Sequence, residues 1–146
     1  MTRIYLLLFT ILSLTGCVPD KISTPPVDVT LKAAGTVARP NHISSLKVRV
    51  YENVGTNRVW IEERTGISCQ ISSPFYSVKA ITPALIKVPT YGTQTPSFTT
   101  TCTYKGETLE TSSGGCFFER GKEPDPNAED PRGVCNHADI TVIFGK

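Results

Sequence analysis

No stretch of ten or more residues beyond residue 17 carries the 3.6-residue apolar period of a helix. Long hydrophobic runs are also missing. The longest, Ile4 to Leu14, is 11 residues interrupted by Thr10 and Ser13, whereas a helix that spans the hydrocarbon core needs about 20. Histidine is scarce, with only His42 and His137 in 146 residues. There is no G-x-S-x-G, no glycine-rich phosphate loop and no H-E-x-x-H. Cysteines never occur at the C-x₂-C spacing of zinc sites. Neither sign of charge dominates, with 15 Lys and Arg against 13 Asp and Glu, net +2. No basic patch interleaved with aromatics occurs, so nucleic acid is not an expected partner.

What is present begins at the N-terminus. Arg3 supplies a short positive region, the apolar run follows, and the run ends in Leu14-Thr15-Gly16-Cys17. A positive start and a short apolar core make a signal peptide rather than a spanning helix. Its end, with two small residues and a cysteine after Leu14, resembles the lipobox of bacterial lipoproteins, over about 17 residues. The resemblance implies that the Cys17 thiol receives a diacylglyceryl group, that residues 1–16 are removed, and that the new amine of Cys17 is acylated. One acyl chain gives marginal attachment and two or more give a stable anchor. It also implies a place. The acidic residue directly after the cysteine that marks inner-membrane retention in that family is missing, since Val18 and Pro19 precede Asp20. The expected location is the outer membrane, facing the periplasm.

Residues 17–44 read as the lipidated N-terminus and a spacer, punctuated by Pro19, Pro25, Pro26 and Pro40. Val27, Val29 and Leu31 alternate with Asp28 and Thr30, so a first strand can start inside it. Residues 45–146, roughly 100 residues, suffice for one domain with its own core. Leu46, Val48 and Val50 alternate with Lys47, Arg49 and Tyr51. Arg58 to Glu62 resumes after turn residues 53–57, which makes a hairpin. Ile67-x-Cys69-x-Ile71, Ala84-x-Ile86-x-Val88, Phe98 to Tyr104, Glu107 to Thr111 and Ile140 to Phe144 continue the pattern, with Lys105-Gly106 as a turn. Seven to nine short strands predict an all-β fold, a small β-sandwich or else a small barrel, with the sandwich favoured.

Cys69, Cys102, Cys116 and Cys135 remain after Cys17. In an oxidising compartment an even number suggests disulfides. Four cysteines allow three connectivities, and the sequence does not choose between them. Cys69–Cys102 with Cys116–Cys135 is the favoured pairing, because each bond closes a self-contained segment. Each would contribute about 3–4 kcal/mol.

Catalytic and metal chemistry finds little support. Cys116, Cys135 and His137 are three potential zinc ligands, but the expected arrangement is a disulfide beside a surface histidine. Asp125, Asn127 and Glu129 have the spacing of the first EF-hand ligands; the sixth position needs Gly and holds Asp130, and the twelfth needs Glu and holds Asn136. This is not an EF-hand, and the segment from Gly121 to Gly133 is expected to be a solvated acidic loop, with an irregular calcium site as the lesser alternative. Glu62 and Glu63 are adjacent carboxylates that a strand directs to opposite faces. His42 falls in the spacer and is expected in solvent. Trp60 and Tyr51, outward on the first hairpin, are the candidate binding surface. The expectation is a non-enzymatic, cofactor-free and metal-free lipid-anchored envelope protein with a structural or protein-binding role. The alternative is an inhibitor or accessory subunit of an envelope enzyme or secretion complex.

Overall fold

A computed structural model describes residues 22–32, 39–56 and 60–145. The signal segment, Cys17, Arg58 and Val59 lie outside the described residues. The described chain is all-β, two five-stranded sheets with a third, two-stranded ribbon.

The first sheet is built on β3 (His42–Asn53), the longest strand. Along one side β3 pairs antiparallel with β7 (Ala84–Thr90) and then with β4 (Ile61–Arg64). Along the other it pairs parallel with β12 (Ile140–Phe144). β1 (Val27–Asp28) adds parallel to the far edge of β7. The second sheet runs in the order β2 (Thr30–Leu31), β6 (Tyr76–Ile81), β5 (Ser68–Ser72), β8 (Phe98–Tyr104), β9 (Glu107–Ser113), all antiparallel. β10 (Phe117–Phe118) and β11 (Cys135–Asn136) form the ribbon.

The alternating residues carry the core. Leu46, Val48, Val50, Ile71, Ile86 and Val88 are fully buried between the sheets, and Val142 and Phe144 nearly so. Burying side chains of this kind contributes about 1.5–3 kcal/mol each. Cys69 and Cys102 sit directly opposite on β5 and β8, Cα atoms 4.2 Å apart, and are joined. Cys116 and Cys135, Cα atoms 5.5 Å apart, close the second disulfide beside the ribbon. The favoured pairing is the one present.

Several residues read as spacer belong to the sandwich. β1 lies in the first sheet and β2 in the second, so the chain crosses the seam between β6 and β7 within a few residues. His42 is the first residue of β3, half-buried, rather than a solvated spacer residue. Its partner, Asn136, is 94 residues away and fixed by the second disulfide's neighbourhood, which local sequence does not reveal. The strand β6 lies where no strand was expected; its inward Tyr76, Val78 and Ala80 pack in the core. β7 runs on through Pro89. Proline cannot donate to a ladder, and here it falls beyond the two residues of β7 that β1 covers.

Candidate functional site

The two ends of the sandwich are built differently. At one end β6 joins β7 and β8 joins β9 through two residues each, the latter Lys105 (φ 50°) and Gly106 (φ 80°) in a turn of the I′ kind, and β3 joins β4 through seven. At the other end gather residues 91–97 and the 16-residue connection 119–134, with the ribbon β10–β11 between them.

The long loops are held in place. The Asn41 amide donates to Asp130 Oδ2 (3.0 Å) and to the Gly133 carbonyl (2.8 Å). Arg132 donates Nε to Asp130 Oδ1 (2.9 Å) and Nη2 to Oδ2 (2.8 Å), and its Nη1 reaches the Arg39 carbonyl (3.0 Å). The Arg132 guanidinium holds the Asp130 carboxyl far below the usual carboxylate range. Lys122 lowers Glu119 in the same way, and Asn136 Nδ2 donates to Glu119 Oε1. That fixes the amide so that Asn136 Oδ1 faces His42 Nε2 at 3.2 Å. Gly92, at φ 58°, packs where a Cβ would collide with the Arg132 carbonyl, so residues 91–97 and 119–134 touch through bare backbone.

His137 is buried, 4% exposed, not at the surface as its polar neighbours suggest. It lies edge-on to Phe98 with centroids 5.0 Å apart. Its backbone N–H donates to the buried Ser44 hydroxyl. Burial alone pushes its pKa down to about 4. Cys116 and Cys135 are bonded to each other, so their sulfurs are not available with His137 as a ligand set. Among the described residues no group of three His, Cys, Asp or Glu is placed to hold a metal. In the acidic loop, Asp125 Oδ1 accepts from the Asn127 N–H at 2.8 Å, and Asp130 faces Arg132, so these side chains do not converge on a common point.

Beside this end, on the outer face of the first sheet, lies a groove of about 570 Å³. Val29, Leu31, Pro40, Ile43 and Pro89 give it an apolar lining. Asp28, Ser45 and Lys87 add polar groups to it. Leu31 and Ile43 are more than half exposed, as is Phe117 on the ribbon nearby. The volume lies within the range of small-molecule and peptide-side-chain sites, roughly 300–1,000 Å³. The sequence alone does not mark these residues as a site. Ile43 carried a signal, since it is aliphatic in the outward phase of a strand whose inward phase is Leu46, Val48 and Val50.

Trp60 and Tyr51 lie at the opposite, short-turn end. Trp60 is 71% exposed, whereas Tyr51 is half-buried beside Glu63 and Ile143. There Glu52 ties the two sheets: it accepts from Lys105 Nζ (2.7 Å), Arg64 Nε (2.8 Å) and the Tyr104 hydroxyl (3.1 Å). Lys105 leads in holding Glu52 below its ordinary value. Glu62 faces Arg64 and Glu63 faces Arg49, so the adjacent carboxylates diverge.

No protein-family model, no curated protein and no solved structure matches this chain. Among the described residues no helix is long and apolar enough to cross a membrane.

Proposed function

We propose that this protein is a lipid-anchored component of the bacterial cell envelope that binds another envelope protein through the loop-rich end of its sandwich. The anchor rests on Leu14-Thr15-Gly16-Cys17, and the outer-membrane, periplasm-facing placement on Val18 and Pro19. The observation that carries the binding role is the convergence, at one end, of disulfide-pinned loops, the exposed Leu31, Ile43 and Phe117, and the apolar groove. Apolar groups held on rigid backbone are what a protein interface uses, because little entropy is lost on docking. Asp130 and Glu119 at this end are each committed to a neighbouring cation, which suits a structural part in holding the loops.

The test is capture from detergent-solubilised envelopes with the full-length protein and with Ile43→Asp and Phe117→Asp variants. The expected result is one stoichiometric partner, lost with either variant and retained with Trp60→Ser. Equal recovery by all variants, or turnover of a cell-wall substrate by the purified protein, would overturn the proposal. A captured enzyme or secretion component whose activity changes on binding would define the role as inhibitor or accessory subunit.

A further inference from the structure

The exposed large apolar side chains divide between the two ends. Leu31, Ile43 and Phe117 lie at the loop-rich end. Val54, Trp60, Ile61, Ile81 and Ile143 lie at or beside the short-turn end, each at least 44% exposed. The strand registers set Ile61 and Ile143 on the outer face of the first sheet and Ile81 on the outer face of the second, toward the same end. Ile61 is opposite Asn53 near the tip of β3, Ile143 is beside Tyr51, and Ile81 is the last residue of β6, next to Thr82-Pro83. Trp60 sits just beyond, its carbonyl accepting from the Val54 N–H. Its ring lies over Gly55, where a Cβ would come within 2.9 Å of Cδ1, so the backbone of the tip shapes its seat.

The chain also enters from this side. The Thr24 hydroxyl donates to the Pro83 carbonyl (3.4 Å), and from there the chain rises into β1 beside Ile86. Cys17 is seven residues before Thr24. Even fully extended, seven residues reach about 25 Å. Ala84 lies opposite Val48, so the chain enters level with the middle of β3; β1, parallel to β7, runs from there toward the loop-rich end, with His42 about 20 Å away at roughly 3.3 Å per residue and residues 119–134 beyond it.

We propose that the short-turn end rests on the bilayer, with Trp60, Val54, Ile61 and Ile81 in the lipid headgroup region. This deepens the lipid-anchor reading and rests on it. β1 runs away from this end, so the anchored chain joins the sandwich on this side, and tryptophan is the side chain suited to that zone, with an apolar ring and a polar N–H. Lys105, 64% exposed, lies at the same end with its ammonium on Glu52. The arrangement directs the loop-rich end away from the membrane, toward a partner.

Trp60 is the only tryptophan in the chain, so its fluorescence reports on this end alone. Full-length processed protein is reconstituted into phosphatidylethanolamine–phosphatidylglycerol vesicles containing lipids brominated near the top of the acyl chain. Trp60 emission is expected to shift to shorter wavelength and to be quenched. A tryptophan placed at the other end, Ile43→Trp in a Trp60→Phe background, is expected to stay unquenched. Mass spectrometry of Cys17 separates the two ideas. Protein without acyl chains overturns the anchor and the orientation together. Acylated protein whose Trp60 is no more quenched than the tryptophan at 43 overturns the orientation alone. Trp60 shielded from acrylamide but not quenched by lipid assigns this end to a protein partner and also overturns it.

Discussion

His137 shows most clearly how one residue's surroundings change its chemistry. Its ordinary pKa is 6.5, and burial takes the folded value to about 4. Above pH 6.5 the ring is neutral folded or unfolded, and its contribution to stability is fully present. As the pH falls from 6.5 toward 4, the unfolded chain takes up a proton that the folded chain does not, so stability is lost, by about 3 kcal/mol in total. Glu52, Glu119 and Asp130 are lowered too, so their contribution is present above the ordinary carboxylate range and is lost only at lower pH. Across the interval from 6.5 to 5 the loss from His137 therefore precedes the loss from these carboxylates. Urea midpoints should fall across it in the native protein, and His137→Leu should flatten that dependence; an identical slope in the variant would refute the assignment. The burial of His137 was not legible in the sequence. Cys135-Asn136-His137-Ala138-Asp139 has the composition of a surface turn, and only the docking of β11 against Ser44 and Phe98 covers the ring.

Strands differed in how plainly they could be read. Where inward residues were aliphatic and outward ones polar, as in Leu46 to Val50 or Ile140 to Phe144, alternation located the strand and its buried face. β6 escaped notice because Tyr76, Val78 and Ala80 are inward while Ile81, also apolar, points outward and blurs the alternation. The two-residue β1 and β2 offer too little pattern to separate from the proline-rich segment around them; pairing with β7 and β6 makes them strands. The ribbon depends on its disulfide, which closes the loop 119–134. Replacing Cys116 and Cys135 together with Ala should lower stability by about 3 kcal/mol and open that loop to limited proteolysis, read as new cleavage sites between Glu119 and Val134. Unchanged protease resistance would mean that the Asn41–Asp130–Arg132 contacts hold the loop without it.

For the whole molecule the question is orientation. Short turns and Trp60 are at one end, and the chain enters from that side; long loops, the second disulfide and the groove are at the other. Loops on a rigid β scaffold are where sandwiches carry recognition. If the lipid on Cys17 sets this orientation, Cys17→Ala should release the protein from envelopes or stall removal of residues 1–16. Fractionation and mass measurement check both, and unaltered membrane association with normal processing would sink the anchor. Partner capture should fail in that variant within cells while purified protein still binds, because the lipid determines where the surface is presented and not its shape.

From residue order alone came the all-β class, most strand faces and the Lys105-Gly106 turn, because alternation and turn chemistry are recorded locally along the chain; the cysteine pairing was favoured there and fixed only by the fold. The parallel pairing of β12 with β3, the crossing of β1 and β2 between sheets, the burial of His137 and the seating of His42 against Asn136 emerged only from the folded molecule. These join segments up to about a hundred residues apart. The free energy that selects such pairings comes from burying two distant surfaces against each other, and neither surface identifies the other in its own sequence. The same holds for the groove, whose lining comes from residues 28–31, 40–45 and 87–89. Each of these segments looks ordinary until the sheets bring them together.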